Sequence, residues 1–206
     1  MYNPYDSGGC AVDPTSESIA VAAGFSVTVV IWPYNAKRGW RLAHAYRDPD
    51  MDLSACSVYD PQGNLFVDGE DYNRSFMLAE LPKGSSTFTT INLNRVIHNP
   101  GSLQWLGKYL AVENWGKSGS GPAVIYRFAI NGGLGHRVST TILANSRPSA
   151  QFLIHDHTVI GPFSSSSASG IGFWRFPKGG APVRTISTST DLVPYAEALS
   201  LKSESR

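Results

Sequence analysis

A polar turn between two short apolar segments recurs along this chain. The segment CSVYDPQGNLFVDG begins at Cys56, and a shorter version, CAVDPTSESIAVAAG, begins at Cys10. The Asp-Pro pairs within them, at Asp13 and Asp60, are 47 residues apart. Hairpins of the same form follow at similar intervals as QWLGKYLAVEN and FLIHDHTVIGP. A repeat of this length predicts one supersecondary unit per copy, so four units should stack or close around a common axis.

Two further segments with strand character follow each hairpin. The third segments are VTVVIWPY, FMLAELPKG, AVIYRFAI and IGFWRFPKGG, and the fourth are WRLAHAY, STFTTINL, RVSTTIL and APVRTIS. They are rich in Val, Ile and aromatic residues and show no helical period. The sequence therefore predicts an all-β fold, a β-propeller of four four-stranded blades of about 47 residues each, complete or part of a larger ring. Residues 1–190 are predicted to form this single domain, followed by a tail at 191–206.

Composition excludes several classes of protein. The formal net charge is +1, which gives no basis for binding nucleic acid or an anionic membrane surface. No apolar segment approaches the roughly 18 residues of a membrane helix. The start, MYNPYDSGG, lacks the basic and apolar regions of a signal peptide, so we expect a cytoplasmic protein or a secreted one truncated at its N-terminus. The two cysteines, Cys10 and Cys56, are expected to be buried thiols.

The repeated turn residues and aromatics have a structural interpretation. Asp13 and Asp60 should open turns, with Pro next in each and Gly63 supplying the tight geometry of the second. One aromatic residue of each third segment should pack between blades: Trp32, Phe76, Tyr126 and Trp174.

Propeller geometry also predicts which polar residues share a face. The links between blades and the loops between second and third strands emerge on one side of the ring. The link RDPDMDLSAC, the loop VDGEDYNRS and the link VIHNPGS should therefore lie beside one another. The candidate site on this face consists of the following residues: Asp48, Asp50, Asp52, Asp68, Glu70, His98, Glu113 and Asn114.

Carboxylates crowded at a channel mouth repel one another, and a bound cation relieves that repulsion. Oxygen ligands of this kind suit calcium, which takes six to eight of them. The Asp-x-Asp-x-Asp spacing resembles the first half of an EF-hand loop, but Leu53 and Tyr59 replace the Gly and Glu that such a loop requires. The alternative is a solvated acidic surface without a metal ion.

The segments VYDPQGNLFVDG and LAELPKG, together with VDPTSESIAVA and VVIWPY, resemble the blades of bacterial NHL-like propellers. They are more distantly similar to gluconolactonase and regucalcin-like propellers. The second resemblance implies a calcium-dependent hydrolase of a small cyclic ester, such as an acyl lactone, acting at the channel mouth. The chain departs from that family at Gly8 and Ala55, where ligands are expected, so the family's ligand set is not reproduced and any metal would be bound differently. From the acidic loops of this sequence, we expect calcium to be held by Asp48, Asp50, Asp52, Asp68 and Glu113 or Asn114, with His98 or Glu70 as the base.

A non-catalytic module that binds a ligand or a protein is the alternative function. NHL-like propellers commonly serve as rigid platforms, and Trp40 or Trp115 at the surface would then anchor the partner. An incomplete ring would expose blade edges and favour self-association. The expected partners are therefore a small-molecule substrate or a second copy of the chain, and neither nucleic acid nor a membrane.

Overall fold

A computed structural model describes residues 9–22, 28–35, 37–99, 101–116, 121–147, 151–165 and 168–187. These residues form nineteen strands and no helix, which confirms the all-β prediction. Consequently no described helix is long and apolar enough to cross a membrane. The predicted tail at 191–206 lies outside the described residues.

The first two blades are four-stranded sheets built from consecutive segments. Blade 1 contains, in spatial order, β1 (Cys10–Val12), β2 (Ile19–Ala22), β3 (Thr28–Trp32) and β6 (His44–Arg47). A separate hairpin, β4 (Tyr34–Asn35) and β5 (Gly39–Trp40), lies between β3 and β6 in sequence. Blade 2 contains, from its inner to its outer edge, β7 (Met51–Tyr59), β8 (Leu65–Asp71), β9 (Phe76–Leu81) and β10 (Thr89–Thr90).

Blade 3 has one strand more than predicted. Its antiparallel strands are β12 (Leu103–Leu106), β13 (Tyr109–Asn114), β14 (Ala123–Asn131) and β15 (Leu134–Leu143). The fifth, β11 (Asn92–Leu93), pairs in parallel with β15 as the chain leaves blade 2. Blade 4 contains β16 (Leu153–His155), β17 (Thr158–Ser164), β18 (Ser169–Arg175) and β19 (Arg184–Ser187).

The first strand of each blade is its inner strand. β1 contacts β7, β7 contacts β12, and β12 contacts β16, so the four inner strands follow one another around a common axis. Each blade consists of strands that are contiguous in sequence, and no strand exchange between the first and last blades closes the ring in the described part of the chain. The arrangement is propeller-like, as the repeat predicted.

Three apolar cores hold adjacent blades together. The alternation of side chains along β8 shows how they arise: Leu65 and Val67 pack in the core between blades 1 and 2, whereas Phe66 packs in the core between blades 2 and 3. Tyr126 also lies in the second core, with Phe76 packed against it, and Trp174 lies in the third, between blades 3 and 4. These positions match the prediction for three of the four aromatics.

Two predictions about burial in blade 1 are wrong. Trp32 is 37% exposed, because its neighbour Ile31 packs against the first core and Trp32 therefore faces the other side of blade 1. Cys10 is exposed, whereas Cys56 is buried as predicted.

Both Asp-Pro turns are confirmed: Asp13 Oδ1 accepts the Thr15 N–H at 2.8 Å, and Asp60 Oδ1 accepts the Asn64 N–H at the same distance.

Gly69 lets the irregular strand β7 lie close against β8. The pairing of β7 with β8 shifts register twice, and a Cβ atom on Gly69 would lie 1.9 Å from the carbonyl oxygen of Leu53. We expect Gly69→Ala to lower the free energy of unfolding in urea by about 1–3 kcal/mol, because the strands must move apart. Gly161→Ala is the matched control: the nearest atoms would be 3.9 Å away, and we expect a change of about 0.5 kcal/mol or less. Equal losses in the two variants would contradict this account.

Candidate functional site

A cavity of about 320 Å³ lies among the inner strands, where the four blades meet. Each blade contributes to its wall, for example through Cys10, Ser57, Gln104 and Phe152. The inner strands therefore surround a channel, and this cavity lies in it.

Most polar groups at the cavity wall bind neighbouring blades. The Gln104 side chain donates to the Ile154 carbonyl at 2.8 Å and accepts the Ile154 N–H at 2.6 Å. Ser102 Oγ accepts the Phe152 N–H at 3.2 Å. Ser57 differs, because its Oγ is buried and has no hydrogen-bond partner among the described residues.

Asp68 is a fully buried carboxyl group directly behind this wall. The backbone N–H of Cys56 donates to Asp68 Oδ1 at 2.8 Å, and the Gly101 N–H also donates to the carboxyl group. Asp68 Oδ2 has no hydrogen-bond partner in the described structure. Burial raises the pKa of Asp68 well above its usual value, and the nearby charge of Glu113 raises it further. The sequence placed Asp68 and Glu70 in a loop; both lie in strand β8 instead.

Glu113 lies near the end of β13 and is 1% exposed. Its backbone N–H donates to the Ser102 carbonyl at 3.0 Å, which brings it beside the channel. Burial raises the pKa of the Cys56 thiol, and the charges of Asp68 and Glu113 both add to that rise. Cys56, Asp68 and Glu113 therefore form one buried cluster, which we call the channel cluster.

The other predicted ligands are engaged elsewhere. Asp48 Oδ1 accepts the Asp50 N–H at 2.9 Å in a local turn. Asn114 Oδ1 accepts the His98 backbone N–H at 2.9 Å, linking β13 to the interblade segment. Both contacts fix loops at the channel end, and they occupy one oxygen of each side chain.

Two more of the predicted residues lie beside Arg74. Its guanidinium lies 3.8 Å from Asp52 and 3.4 Å from Glu70. Burial raises the pKa of Glu70, while Arg74 acts in the opposite direction. Asp52 lies in strand β7 rather than in the link before it.

Asp50 and His98 line a separate groove of about 710 Å³. The structure thus places two predicted residues in each of three locations: the channel cluster, the surroundings of Arg74 and this groove. The other two, Asp48 and Asn114, make the loop contacts described above. Within the described ranges, no three His, Cys, Asp or Glu side chains are grouped so that they could hold a metal ion.

Two residues of the site were not predicted from the sequence. Ser57 and Gly101 belong to no recognisable motif, although small polar residues interrupting the apolar strand β7 are a weak signal of a polar wall. Trp115, expected at the surface, is only 6% exposed, and its Nε1 would lie 2.8 Å from a Cβ atom on Gly101. The Trp40 side chain lies outside the described part of the structure.

Comparisons with known proteins identify the architecture. No protein-family model matches the chain, and no curated protein matches it either. Among solved structures, the β-propeller domain of the trilobed protease from Pyrococcus furiosus, described as having an open velcro topology, superposes with a TM-score of 0.52 at 10% identity. A gluconolactonase from Xanthomonas campestris superposes with a TM-score of 0.54 at 14% identity. The chain has a β-propeller-like fold.

The extent of these matches differs. The alignment covers 84% of this chain and 54% of the archaeal chain, so the protein spans about half the length of that neighbour. It covers 90% of this chain and 78% of the gluconolactonase. A distant structural neighbour is thus a hydrolase of lactones, and at these identities the likeness concerns the fold. The resemblance to NHL-like repeats stays a prediction.

Proposed function

We propose that the protein is a hydrolase of small cyclic esters that acts at the channel mouth. The observation that carries the proposal is the unpartnered, fully buried Asp68 Oδ2, which lies behind a cavity that all four blades line. Native structures rarely leave a buried carboxylate oxygen without a partner unless a ligand, a proton or function requires it. The gluconolactonase neighbour supports the same reaction class.

The roles of the residues follow from their environments. The raised pKa of Asp68 suits a group that takes a proton from water and returns it to the leaving alcohol. Its orientation is fixed by the Cys56 and Gly101 N–H groups. The Ser57 hydroxyl, at the cavity wall and without a partner, can donate a hydrogen bond to the ester carbonyl.

Calcium remains part of the proposal, with a smaller ligand set than the sequence suggested. Asp52 faces Arg74, Asp48 caps a local turn, and Asn114 binds the His98 backbone N–H of the interblade segment, so these side chains fit a cation poorly. Glu70, predicted as a base, also faces Arg74. Because Asp68 is assigned to proton transfer, Glu113 is the predicted ligand that would hold the ion beside the channel. Bound there, calcium would polarise the ester carbonyl as a Lewis acid.

Lactone hydrolysis tests the proposal directly. Purified protein is assayed with a short-chain and a long-chain acyl-homoserine lactone in calcium, then in EGTA, then after calcium is restored. We expect turnover that EGTA removes and calcium restores, and that Glu113→Gln weakens. Turnover that is insensitive to EGTA would contradict the calcium requirement but support the assignment as a hydrolase. Absence of turnover in all three conditions would overturn the proposed function.

A further inference from the structure

Blade 2 has an outer strand that covers only part of β9. Strand β10 pairs with β9 at Glu80 and Ala79, and the Ile91 N–H then donates to the Leu78 carbonyl at 2.8 Å. Beyond Ile91 the chain leaves this sheet, and β11 pairs with β15 of blade 3. The first two residues of β9, Phe76 and Met77, therefore have no outer neighbouring strand in the described structure.

The backbone at this open edge points outward. N–H and C=O groups alternate between the two sides of a strand, so residues two positions apart face the same way. Because the Leu78 carbonyl faces β10, the N–H and C=O of Phe76 also face outward, away from β8. An edge of this kind is a template for another strand.

A second strand edge faces the same space. The N–H groups of Asn92 and Asn94 donate to Gly133 and Gly135 on β15, at 2.8 and 3.0 Å. Leu93, between them, must therefore direct its own N–H away from β15. The groove of about 710 Å³ lies between β9 and this segment, and Phe76, Leu78 and Leu93 line it. We call it the β9 groove; its volume lies within the range of about 300–1,000 Å³ usual for ligand sites.

The β9 groove is lined by one cationic group that lacks a carboxylate partner, and a second such group lies over the same aromatic ring as the first. Arg95 lines the groove, donates to the Tyr126 hydroxyl at 3.4 Å and lies over that ring at 5.4 Å from its centre. Arg137 lies over the same ring at 6.0 Å. Among the described residues, neither guanidinium has a carboxylate within 4.0 Å, whereas Arg74, which also lines the groove, faces Asp52 and Glu70.

We propose that the β9 groove binds an extended peptide segment of another protein. The segment adds as a strand to β9 by pairing with the Phe76 N–H and C=O, and it places an acidic side chain beside Arg95 and Arg137. Only a polypeptide offers N–H and C=O groups at the spacing of a strand edge, which is why the occupant is a peptide rather than a small solute. The site is separate from the channel cluster and does not depend on lactone hydrolysis.

Peptide display tests the proposal. A library of random decapeptides is panned on the immobilised full chain, and the enriched peptides are synthesised with a fluorescent label for anisotropy titrations. We expect extended sequences with an acidic residue near one end. Phe76→Pro removes the outward N–H at the start of an edge strand, where proline is tolerated, and should weaken binding at least about tenfold. Phe76→Val keeps that N–H and should bind within about threefold of the parent.

Charge is tested with a matched pair of variants. Arg95→Glu should weaken binding by about tenfold or more, whereas Arg175→Glu, which changes an exposed arginine of blade 4, should leave it unchanged. Circular dichroism and thermal melting confirm that each variant is folded. Failure to enrich any peptide, equal binding to Phe76→Pro and Phe76→Val, or equal binding to the two charge variants would overturn the proposal. So would self-association of the chain that Phe76→Pro abolishes.

Discussion

Replacing Asp68 with Asn is expected to abolish lactone hydrolysis while leaving the propeller folded. The Asn side-chain oxygen still accepts the N–H groups of Cys56 and Gly101, so the wall of the channel keeps its hydrogen bonds. The group that exchanges a proton is lost, and loss of general acid–base catalysis typically lowers the rate by about 10²–10⁴-fold. The measurement is kcat/KM for acyl-homoserine lactones in calcium.

Two further variants separate catalysis from structure. Asp156→Asn changes an exposed turn after β16, at the opposite end of the inner strands, and should leave turnover unchanged. Asp68→Ala removes the acceptor for both N–H groups, and each buried donor left unpaired costs about 1–3 kcal/mol of stability. If Asp68→Asn is destabilised as much as Asp68→Ala, or retains full turnover, the assignment of Asp68 is wrong.

The pH dependence of stability provides a second comparison between the wild type and Asp68→Asn. The folded pKa of Asp68 is raised by burial above that of the unfolded chain, so this group stabilises the fold fully below the unfolded pKa, near 3.8. As pH rises toward the folded pKa, the wild type loses up to about 1.4 kcal/mol per pH unit from this group. Asp68→Asn lacks that loss, so its stability relative to the wild type should increase with pH. A difference that is independent of pH would contradict a buried ionisable Asp68.

The architecture was predictable because the repeat and the alternation of side chains are local properties of the chain. The division of the segment STFTTINL between two blades could not be predicted in this way. Thr89 and Thr90 pair with β9, and two residues later Asn92 and Leu93 pair with β15 in the next blade. No local preference distinguishes two parts of one β-rich segment, since the choice of partner is made by tertiary contacts.

The candidate site was harder to predict for a related reason. VDGED begins the segment that the repeat predicts as the loop between the second and third strands of blade 2, and it contains residues that are unfavourable in strands. In the fold, backbone N–H groups from β7 and from the link at Gly101 bind the Asp68 carboxyl, which makes its burial in a strand tolerable. Those donors come from segments 12 residues away in the same blade and from the next blade, so sequence spacing gives no indication of them.

Trp174→Ala is expected to have the largest effect on stability. The side chain is fully buried in the core between blades 3 and 4, and its Nε1 donates to the Ala144 carbonyl at 3.0 Å. A Cβ atom on Gly172 would lie 2.2 Å from the indole ring, so the ring packs directly against the glycine backbone. Removing the ring leaves a cavity and should lower the free energy of unfolding by about 3–5 kcal/mol, measured in urea at pH 7.

Trp32→Ala provides the matched control for this tryptophan. Trp32 is 37% exposed and lies outside the three interblade cores, so its loss should cost less than about 1 kcal/mol. If the core shared with blade 3 stabilises blade 4, only Trp174→Ala should greatly lower the free energy of unfolding. Equal losses would mean that Trp32 is covered in solution, as it would be if blade 1 packed against another blade or a second copy. The pair therefore tests both the interblade core and the exposure of the first blade.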